Sequence, residues 1–152
     1  MDKRDTRMID VSDKKDTQRL ATATACISMS RETLRLLRKN EIPKGDVLAV
    51  AQAAGIMAAK KTPDLIPLCH PLLLSSISID FGFPVRSNSI VITATVKGRG
   101  KTGFEMEALT AAAVAALTVY DMCKMFDQGM TITDMRLVSK TGGKSGVYIA
   151  RR

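Results

Sequence analysis

The chain has 152 residues and a formal net charge of +8, and its 45% of apolar residues include few aromatics and no tryptophan. The three cysteines fit no zinc site or disulfide framework, there is no signal peptide, and no apolar run is long enough to span a membrane, so we expect a cytoplasmic protein. The charge favours a polyanionic partner. Because lysine and arginine never run beyond two residues and aromatics are scarce, we expect a phosphorylated small molecule rather than nucleic acid.

The first part of the chain predicts an arm, a strand and two helices. Residues 1–18 mix charges of both signs and predict a flexible arm, with a short strand at 8–11, before a single domain over 19–152. Small apolar and hydroxyl residues then alternate as in a strand, and the helix that follows Asp46 is apolar nearly all round, which predicts burial on most sides. The predicted bounds are 19–29 for the strand, 31–39 for a helix capped by Ser30, and 47–61 for a helix capped by Asp46.

The second part predicts four strands and the longest helix. Three prolines within 62–73 predict an irregular segment through which neither a long helix nor a strand can run. The remaining predicted elements are a hairpin of strands that begin at Ile77 and Ile90, a helix over 104–126 that Gly129 stops, and two last strands at 131–138 and 147–150. Hairpins mixed with helices predict an α+β, ferredoxin-like fold, with an antiparallel sheet covered by helices on one face.

The long predicted helix carries a stripe of functional groups. Glu107 and Asp121 lie about 40° apart around the axis, and Lys124 neighbours Asp121 three residues further on. The apolar flanks of Asp121 and Lys124 predict a partly buried pair suited to proton transfer, although a solvated surface ion pair is the alternative. Because Glu107 and Asp121 are about 21 Å apart along the helix, we expect that a site using both takes groups from two subunits.

Four lysines lie in or next to glycine-containing loops, which is the setting of many phosphate sites. They are Lys44, Lys101, Lys140 and Lys144. Glycine lets backbone N–H groups approach phosphate oxygens while lysine supplies charge, so together they predict a polyphosphate pocket. Ordinary glycine turns are the alternative for each loop taken alone. The GKT at 100–102 is not a P-loop, because Thr95 stands where that motif requires glycine.

The only histidine, His70, lies in the proline-rich stretch DLIPLCHPLLLSS. A lone histidine in an apolar run can be a packed core residue. The prolines, however, fix an irregular backbone whose free amides and polar ring can hold a substrate. Since no second histidine or suitably spaced cysteine accompanies it, we expect no metal site.

Four blocks of the chain resemble one family. KGDV (44–47), AAKKTPDLIPLCHPL (58–72), GKTGFEMEALTAAAVAALTVYDMCK (100–124) and SKTGGKSG (139–146) are similar to the molybdenum cofactor biosynthesis protein C family, the cyclic pyranopterin monophosphate synthases. The resemblance covers about residues 8–148. It implies a ferredoxin-like fold and a lyase that converts 3′,8-cyclo-7,8-dihydroguanosine 5′-triphosphate to cyclic pyranopterin monophosphate and diphosphate. It also implies a homohexamer, a trimer of dimers, with sites at the subunit interfaces.

The resemblance assigns roles to particular residues. The catalytic residues that it implies are Asp121, Lys124 and Lys44. The substrate-binding residues that it implies are Leu68, Cys69, His70, Glu105, Met106, Glu107 and Lys140. Lys144 is added to this set from the glycine-rich loop. No protein-bound metal or cofactor is expected, and Mg²⁺ accompanies the substrate at most. A basic nucleotide- or nucleic-acid-binding module without catalysis, and a purely structural oligomer, are the alternative functions.

Overall fold

The computed structural model describes residues 4–151, which contain five antiparallel strands and three helices. Their bounds are β1 Thr17–Ser28, α1 Arg31–Arg38, α2 Val47–Leu65, β2 Leu73–Gly82, β3 Ser89–Gly100, α3 Glu105–Cys123, β4 Thr131–Thr141 and β5 Tyr148–Ile149. The strands form one sheet in the order β2-β3-β1-β4-β5, in which all neighbours are antiparallel. The predicted ferredoxin-like α+β fold is therefore confirmed, with the two-residue β5 added at one edge.

The central strand β1 explains why the helices lie on one face of the sheet. Its alternate residues Ala21, Ala23, Ala25 and Ile27 are completely buried beneath the helices, while the residues between them are half-buried on the opposite face. On that face the hydroxyls of Thr22 and Thr95 lie 3.2 Å apart across β1 and β3. Strict alternation of small apolar and hydroxyl residues thus produces one face for packing and one for polar contacts.

The helices α2 and α3 pack closely because their contact is built from small residues. A Cβ atom added at Gly55 of α2 would lie 3.0 Å from the carbonyl oxygen of Ala111 on α3. Five alanines of α3 are at least 99% buried, namely Ala108, Ala111, Ala112, Ala115 and Ala116. Among the described helices, α3 is long and apolar enough to cross a membrane, but half of its most apolar 18-residue window is buried within the fold. It is therefore the core helix that joins α2 to the sheet.

The proline-rich segment differs from its prediction. Helix α2 continues through Pro63 to Leu65, four residues past the predicted end, and β2 begins at Leu73 instead of Ile77. Pro63 lies in the last turn of α2, where its missing N–H removes only one helical hydrogen bond. The buried Thr62 hydroxyl donates to the carbonyl of Ala58 at 3.0 Å, and Ile66 N–H closes the helix on Thr62. The prediction of an irregular segment thus holds only for the short stretch between α2 and β2.

Two further predictions, one about burial and one about a strand, are wrong for the chain alone. The outer face of α2 is exposed, with Val50 and Met57 45% and 64% accessible, although burial on most sides was predicted. No strand forms at residues 8–11, since residues 4–16 contain neither helix nor strand. The division into a flexible arm over 1–18 and a domain over 19–152 stays a prediction, and residues 1–3 and 152 lie outside the described residues.

Candidate active site

Helix α3 carries candidate functional residues at both ends. Glu105, Met106 and Glu107 form its first turn, whereas Asp121 lies in the last turn and Lys124 is the C-cap. Asp121 follows Glu107 by fourteen positions, which corresponds to about 21 Å along the axis. The structure therefore separates the predicted residues into two groups, which we call the N-terminal cluster and the C-terminal cluster of α3.

The C-terminal cluster consists of Lys44, Asp121 and Lys124. Lys124 Nζ lies 2.8 Å from Asp121 Oδ1, and Lys44 Nζ lies 3.5 Å from Asp121 Oδ2. Lys44 also donates a hydrogen bond to the backbone carbonyl of Asp121 at 3.0 Å. It reaches the end of α3 from the loop between α1 and α2, where Gly45 adopts a φ of +114° and the next residue, Asp46, caps α2. One carboxylate is thus held between two amines from distant parts of the chain.

The C-terminal cluster is exposed, which corrects the prediction of a partly buried pair. The side chains of Asp121 and Lys124 are 60% and 53% accessible in the chain alone. The hydrogen bond from Lys124, with the charges of Lys124 and Lys44, lowers the pKa of Asp121, and the same hydrogen bond raises the pKa of Lys124. Both groups are therefore held in their charged forms. The apolar flanks did not bury the pair because Met122 and Cys123 turn towards the core while Asp121 and Lys124 point away from it.

The N-terminal cluster contains a buried acid. Glu107 is only 1% exposed, and its Oε2 has no hydrogen-bond partner among residues 4–151. The Sγ of Cys69 donates to Glu107 Oε1 at 3.8 Å. Burial raises the pKa of Glu107, and burial together with the Glu107 charge raises the pKa of Cys69. A buried carboxyl with an open hydrogen-bonding position can exchange a proton or bind a ligand donor.

The second acid of this cluster is paired. Glu105 Oε1 accepts a hydrogen bond from Lys140 Nζ at 2.6 Å, in an ion pair whose side chains are 26% and 31% accessible. Partial burial acts to raise the pKa of Glu105, but the hydrogen bond and charge of Lys140 outweigh it and the pKa is lowered. Lys140 reaches this position because β4 pairs with β1, where Lys140 lies opposite Ala21.

His70 is half-buried and faces the N-terminal arm. Its Nε2–H donates to the backbone carbonyl of Ile9 at 2.7 Å, and Lys101 Nζ donates to the carbonyl of Ser12 at 2.8 Å. His70 is therefore not a packed core residue. Leu68 next to it is 46% exposed, Met106 is half-buried, and Lys144 is exposed on the glycine-rich loop between β4 and β5.

The structure thus assembles most of the predicted residues, but not at one place. It brings Lys44 to Asp121 and Lys124, Cys69 to Glu107, and Lys140 to Glu105. It does not bring the two clusters together within one chain. Among the described residues, no three His, Cys, Asp or Glu side chains converge as metal ligands would, and the absence of a bound metal or cofactor stays a prediction.

Sequence reasoning missed Arg19 and the contacts of the arm. Arg19 Nε and Nη2 donate to the carbonyls of Gly100 and Lys101 at 3.1 and 3.2 Å, and its charge helps to lower the pKa of Glu105. The only signal was an arginine at the start of the alternating strand pattern. The arm gave none, because its contacts with His70 and Lys101 use backbone carbonyls that side-chain patterns do not reveal.

The chain is thus a small α+β protein with a ferredoxin-like antiparallel sheet. Its core helix carries acid–amine pairs at both ends. Comparison with known proteins identifies the family. The family model described as "MoaC family" matches residues 8–143, a stretch that includes both clusters, and the chain belongs to this family.

Relatives from several bacteria share more than half of the sequence. The protein of Rhodospirillum rubrum is 58% identical over 143 residues, covering 94% of this chain and 86% of the relative. That of Geobacillus kaustophilus is 58% identical over 144 residues, covering 93% and 89%. That of Brevibacillus brevis is 60% identical over 142 residues, covering 93% and 88%. Each of these relatives is named cyclic pyranopterin monophosphate synthase.

Proposed function

We propose that the protein catalyses the reaction for which these relatives are named. It converts 3′,8-cyclo-7,8-dihydroguanosine 5′-triphosphate to cyclic pyranopterin monophosphate and diphosphate, as a lyase of molybdenum cofactor biosynthesis. The observation that carries this proposal is the C-terminal cluster, in which Asp121 contacts Lys44 and Lys124 within a stretch that matches the family. A carboxylate held between two amines is a suitable device for moving protons on a purine-derived ring.

The C-terminal cluster supplies the acid–base groups in this proposal. Opening and rebuilding the ring requires protons to be removed and returned, and Asp121, Lys44 and Lys124 are the groups placed to do so. In the exposed cluster the pKa of Asp121 is lowered and that of Lys124 is raised, which favours the charged forms. Covering the cluster with substrate and a second protomer would disfavour those charges and bring both pKa values towards neutrality.

The N-terminal cluster binds the substrate in this proposal. Glu107 and Glu105 offer acceptors to ring N–H groups, and His70 and Lys140 offer donors. The cyclic phosphate forms when a sugar hydroxyl oxygen bonds to the α-phosphorus while the bond to the bridging oxygen breaks. The hydroxyl proton passes to a base, and diphosphate leaves with the electron pair of the broken bond. Cys69 contacts Glu107, and Leu68 and Met106 are the chain neighbours of these two residues, so in this proposal the three shape the ring pocket.

We further propose that each active site is shared between protomers of a homohexamer, a trimer of dimers. Groups about 21 Å apart on one helix cannot both contact one small ring, so the N-terminal cluster of one protomer would face the C-terminal cluster of another. Exposed apolar side chains on the helices support association, with Val50, Met57 and Leu117 each at least 45% accessible. Burial of such side chains is a main driving force for association.

The remaining expectations also stand as proposals. The protein acts in the cytoplasm, where its three unpaired cysteines stay reduced. The reaction proceeds without a protein-bound cofactor, and any Mg²⁺ arrives with the triphosphate. Nucleic acid is not its partner. The alternative, a basic binding module without catalysis, is favoured by the net charge of +8 alone.

A turnover measurement separates these functions. The purified protein should release diphosphate from the cyclised guanosine triphosphate, and Lys124→Ala should lower kcat by roughly a hundredfold or more, as expected when an acid–base group is removed. Lys39→Ala is the matched control, since it removes an exposed lysine just after α1 and should leave kcat unchanged.

Size-exclusion chromatography and circular dichroism should show that both variants fold and assemble as the wild type does. Normal turnover by a folded Lys124→Ala protein would remove the acid–base assignment. Salt-dependent DNA binding without turnover by the wild type would instead support the binding module.

A further inference from the structure

A groove of about 950 Å³ lies between α1 and the turn that joins β2 to β3. Among the described residues that line it none is acidic, and the cations are Arg31, Arg35, Arg38, Lys39 and Arg86. We call it the α1 groove. Its described lining includes no residue of either cluster of α3, so the proposed reaction does not account for its charge.

Three arginines of α1 form a row along the α1 groove. Arg31, Arg35 and Arg38 lie at positions i, i+4 and i+7, which places them within about 60° of arc on one face of the helix. They rise by about 6 Å and then by about 4.5 Å along the axis. Alternate residues of an extended chain, whose side chains share one face, are about 6.6 Å apart. Because arginine side chains are long, the row can pair with acids at alternate positions of an extended segment.

Most cations of the α1 groove have no acidic partner within residues 4–151. Arg35 is the exception, since Glu32 and Glu41 pair with it at 2.7 and 3.0 Å. The cations that form no ion pair among the described residues are Arg31, Arg38, Lys39 and Arg86. All four side chains are exposed. Their charges are therefore available to an anionic ligand.

The turn between β2 and β3 holds one of these cations in an unfavourable backbone conformation. Arg86 has a φ of +63°, in the left-handed region that residues with a Cβ atom rarely adopt. The turn is closed by the Ser87 N–H, which donates to the Pro84 carbonyl at 3.3 Å. Glycine would fit position 86 without strain. An arginine there, beside other cations, indicates that its charge has a role outside the fold.

The α1 groove also offers apolar surface. The Arg38 guanidinium lies over the Phe83 ring at 5.1 Å, which restrains the side chain while its N–H groups can still donate to a carboxylate. Val85 lines the same groove and is 89% exposed. A ligand that matches this groove therefore combines carboxylates with an apolar side chain.

A protein segment fits the α1 groove better than nucleic acid does. One face of Phe83 is already covered by Arg38, and the described lining has no other aromatic ring on which a base could stack. Glu32 and Glu41 lie beside Arg35 and would repel a continuous row of phosphates. Carboxylates separated by uncharged residues can bind the free cations on either side of these acids.

A second copy of this chain does not supply such a segment. Outside α3, its acidic residues are never closer than three positions apart. The one alternating pair, Glu105 and Glu107, lies in the first turn of α3 and is not extended. The segment therefore belongs to a different protein.

We propose that the α1 groove is a docking site for an extended acidic segment of another protein. Acids at alternate positions of the segment pair with Arg31, Arg38 and Arg86, and an apolar side chain of the segment packs on Val85. Charged pairs of this kind steer association and determine which partners bind. The proposed reaction requires no such partner, so this inference goes beyond that function and does not depend on it.

Fluorescence anisotropy with a labelled probe peptide tests the α1 groove on the full chain. In the probe, glutamates alternate with threonines around a central valine. The wild type should bind it at about 0.1 M salt, and more weakly as the salt concentration rises. Arg31→Ala/Arg86→Gly removes two pairing charges and should weaken binding by roughly tenfold or more. Val85→Glu should weaken binding by a similar factor, because a carboxylate would then face those of the probe.

The matched control is Lys97→Ala/Arg99→Ala. It removes the same charge from exposed positions that lie about 26 Å or more along β3 from the turn. Because charges at 0.1 M salt are screened over about 10 Å, the affinity for the probe should change less than about twofold. All the replaced side chains are exposed, so circular dichroism and size-exclusion chromatography should show wild-type folding and assembly.

The outcomes decide between the possible occupants of the α1 groove. The assignment is overturned if the wild type does not bind the probe at millimolar concentration, or if the groove variants bind it as the wild type does. It is also overturned if the control loses as much affinity as they do, or if a probe with all its glutamates in one block binds equally well. Tighter binding of single-stranded DNA of equal charge, lost in the same variants, would make the groove a nucleic-acid site and contradict the proposal. Loss of the wild-type assembly in Arg31→Ala/Arg86→Gly would contradict it as well, since another copy of the chain would then cover the groove.

Discussion

At the residue scale, the two carboxylates Glu107 and Asp121 occupy one helix in opposite environments. Burial raises the pKa of Glu107, whereas the hydrogen bond from Lys124 lowers the pKa of Asp121. Two acids whose pKa values are moved apart are suited to different roles in one reaction. The sequence predicted the neighbourhood of Asp121 and Lys124 from their spacing of three residues. It could not predict their exposure or the contact with Lys44, because Lys44 lies 77 residues away and arrives through the tertiary fold.

The buried Glu107 predicts a pH-dependent stability. A carboxyl whose pKa is higher in the folded than in the unfolded protein favours folding below its unfolded pKa of about 4.3, and that contribution is lost as the pH rises towards the folded pKa. Glu107→Gln cannot ionise, so the melting temperature of the wild type should fall relative to that of the variant as the pH rises from about 4 to about 7.

Differential scanning fluorimetry across this pH range measures the difference. Asp64→Asn is the control, since Asp64 is an exposed acid on α2 with only a 3.9 Å contact to Lys61. Its melting curve should follow that of the wild type at each pH. Parallel curves for the wild type and Glu107→Gln would show that burial does not govern this carboxyl.

At the scale of elements, the close packing of α2 on α3 depends on a glycine. The Cβ atom of any other residue at position 55 would lie 3.0 Å from the Ala111 carbonyl oxygen and 3.1 Å from Cδ1 of Ile79. Gly55→Val should therefore lower the free energy of unfolding by roughly 1–3 kcal/mol, as overpacked cores do. Lys60→Val places the same side chain at an exposed position near the end of α2, away from Val50 and Met57, and should cost only about 0.5 kcal/mol through helix propensity. Chemical denaturation measures the free energy of unfolding of both variants. Equal losses of stability would contradict the claim that α2 packs on α3 through Gly55.

Local patterns predicted the elements better than their ends. The alternation around Ala21 and Ala23 predicted β1, and the caps Ser30 and Asp46 predicted the starts of α1 and α2. The end of α2 was missed because Pro63 is tolerated in a last turn that Thr62 helps to close. Strands β3 and β4 extend into the glycine-rich loops because pairing with β1 continues through Gly100 and Thr141, which no local pattern reveals.

At the scale of the whole molecule, each end of α3 carries one half of a proposed site. The other half of that site comes from another protomer. The separation of about 21 Å follows from helix geometry and could be derived from the sequence. The exposed outer face of α2 could not, because an apolar helix has the same pattern whether its own chain or a neighbouring copy covers it. The contact between the arm and His70 could not be predicted either, because the arm makes it through a backbone carbonyl. An assembly would cover the apolar face and complete the site together.

Mixing two inactive variants tests the shared site most directly. Asp121→Asn disables the C-terminal cluster and Glu107→Gln the N-terminal cluster, and each protein alone should release little diphosphate. If neighbouring protomers complete one another, assemblies formed by unfolding and refolding an equal mixture should recover up to about a quarter of the wild-type activity, the fraction of sites that receive both intact clusters. A mixture that contains both variants in one assembly but stays as inactive as its parts would contradict the account, because each site would then be built within a single chain.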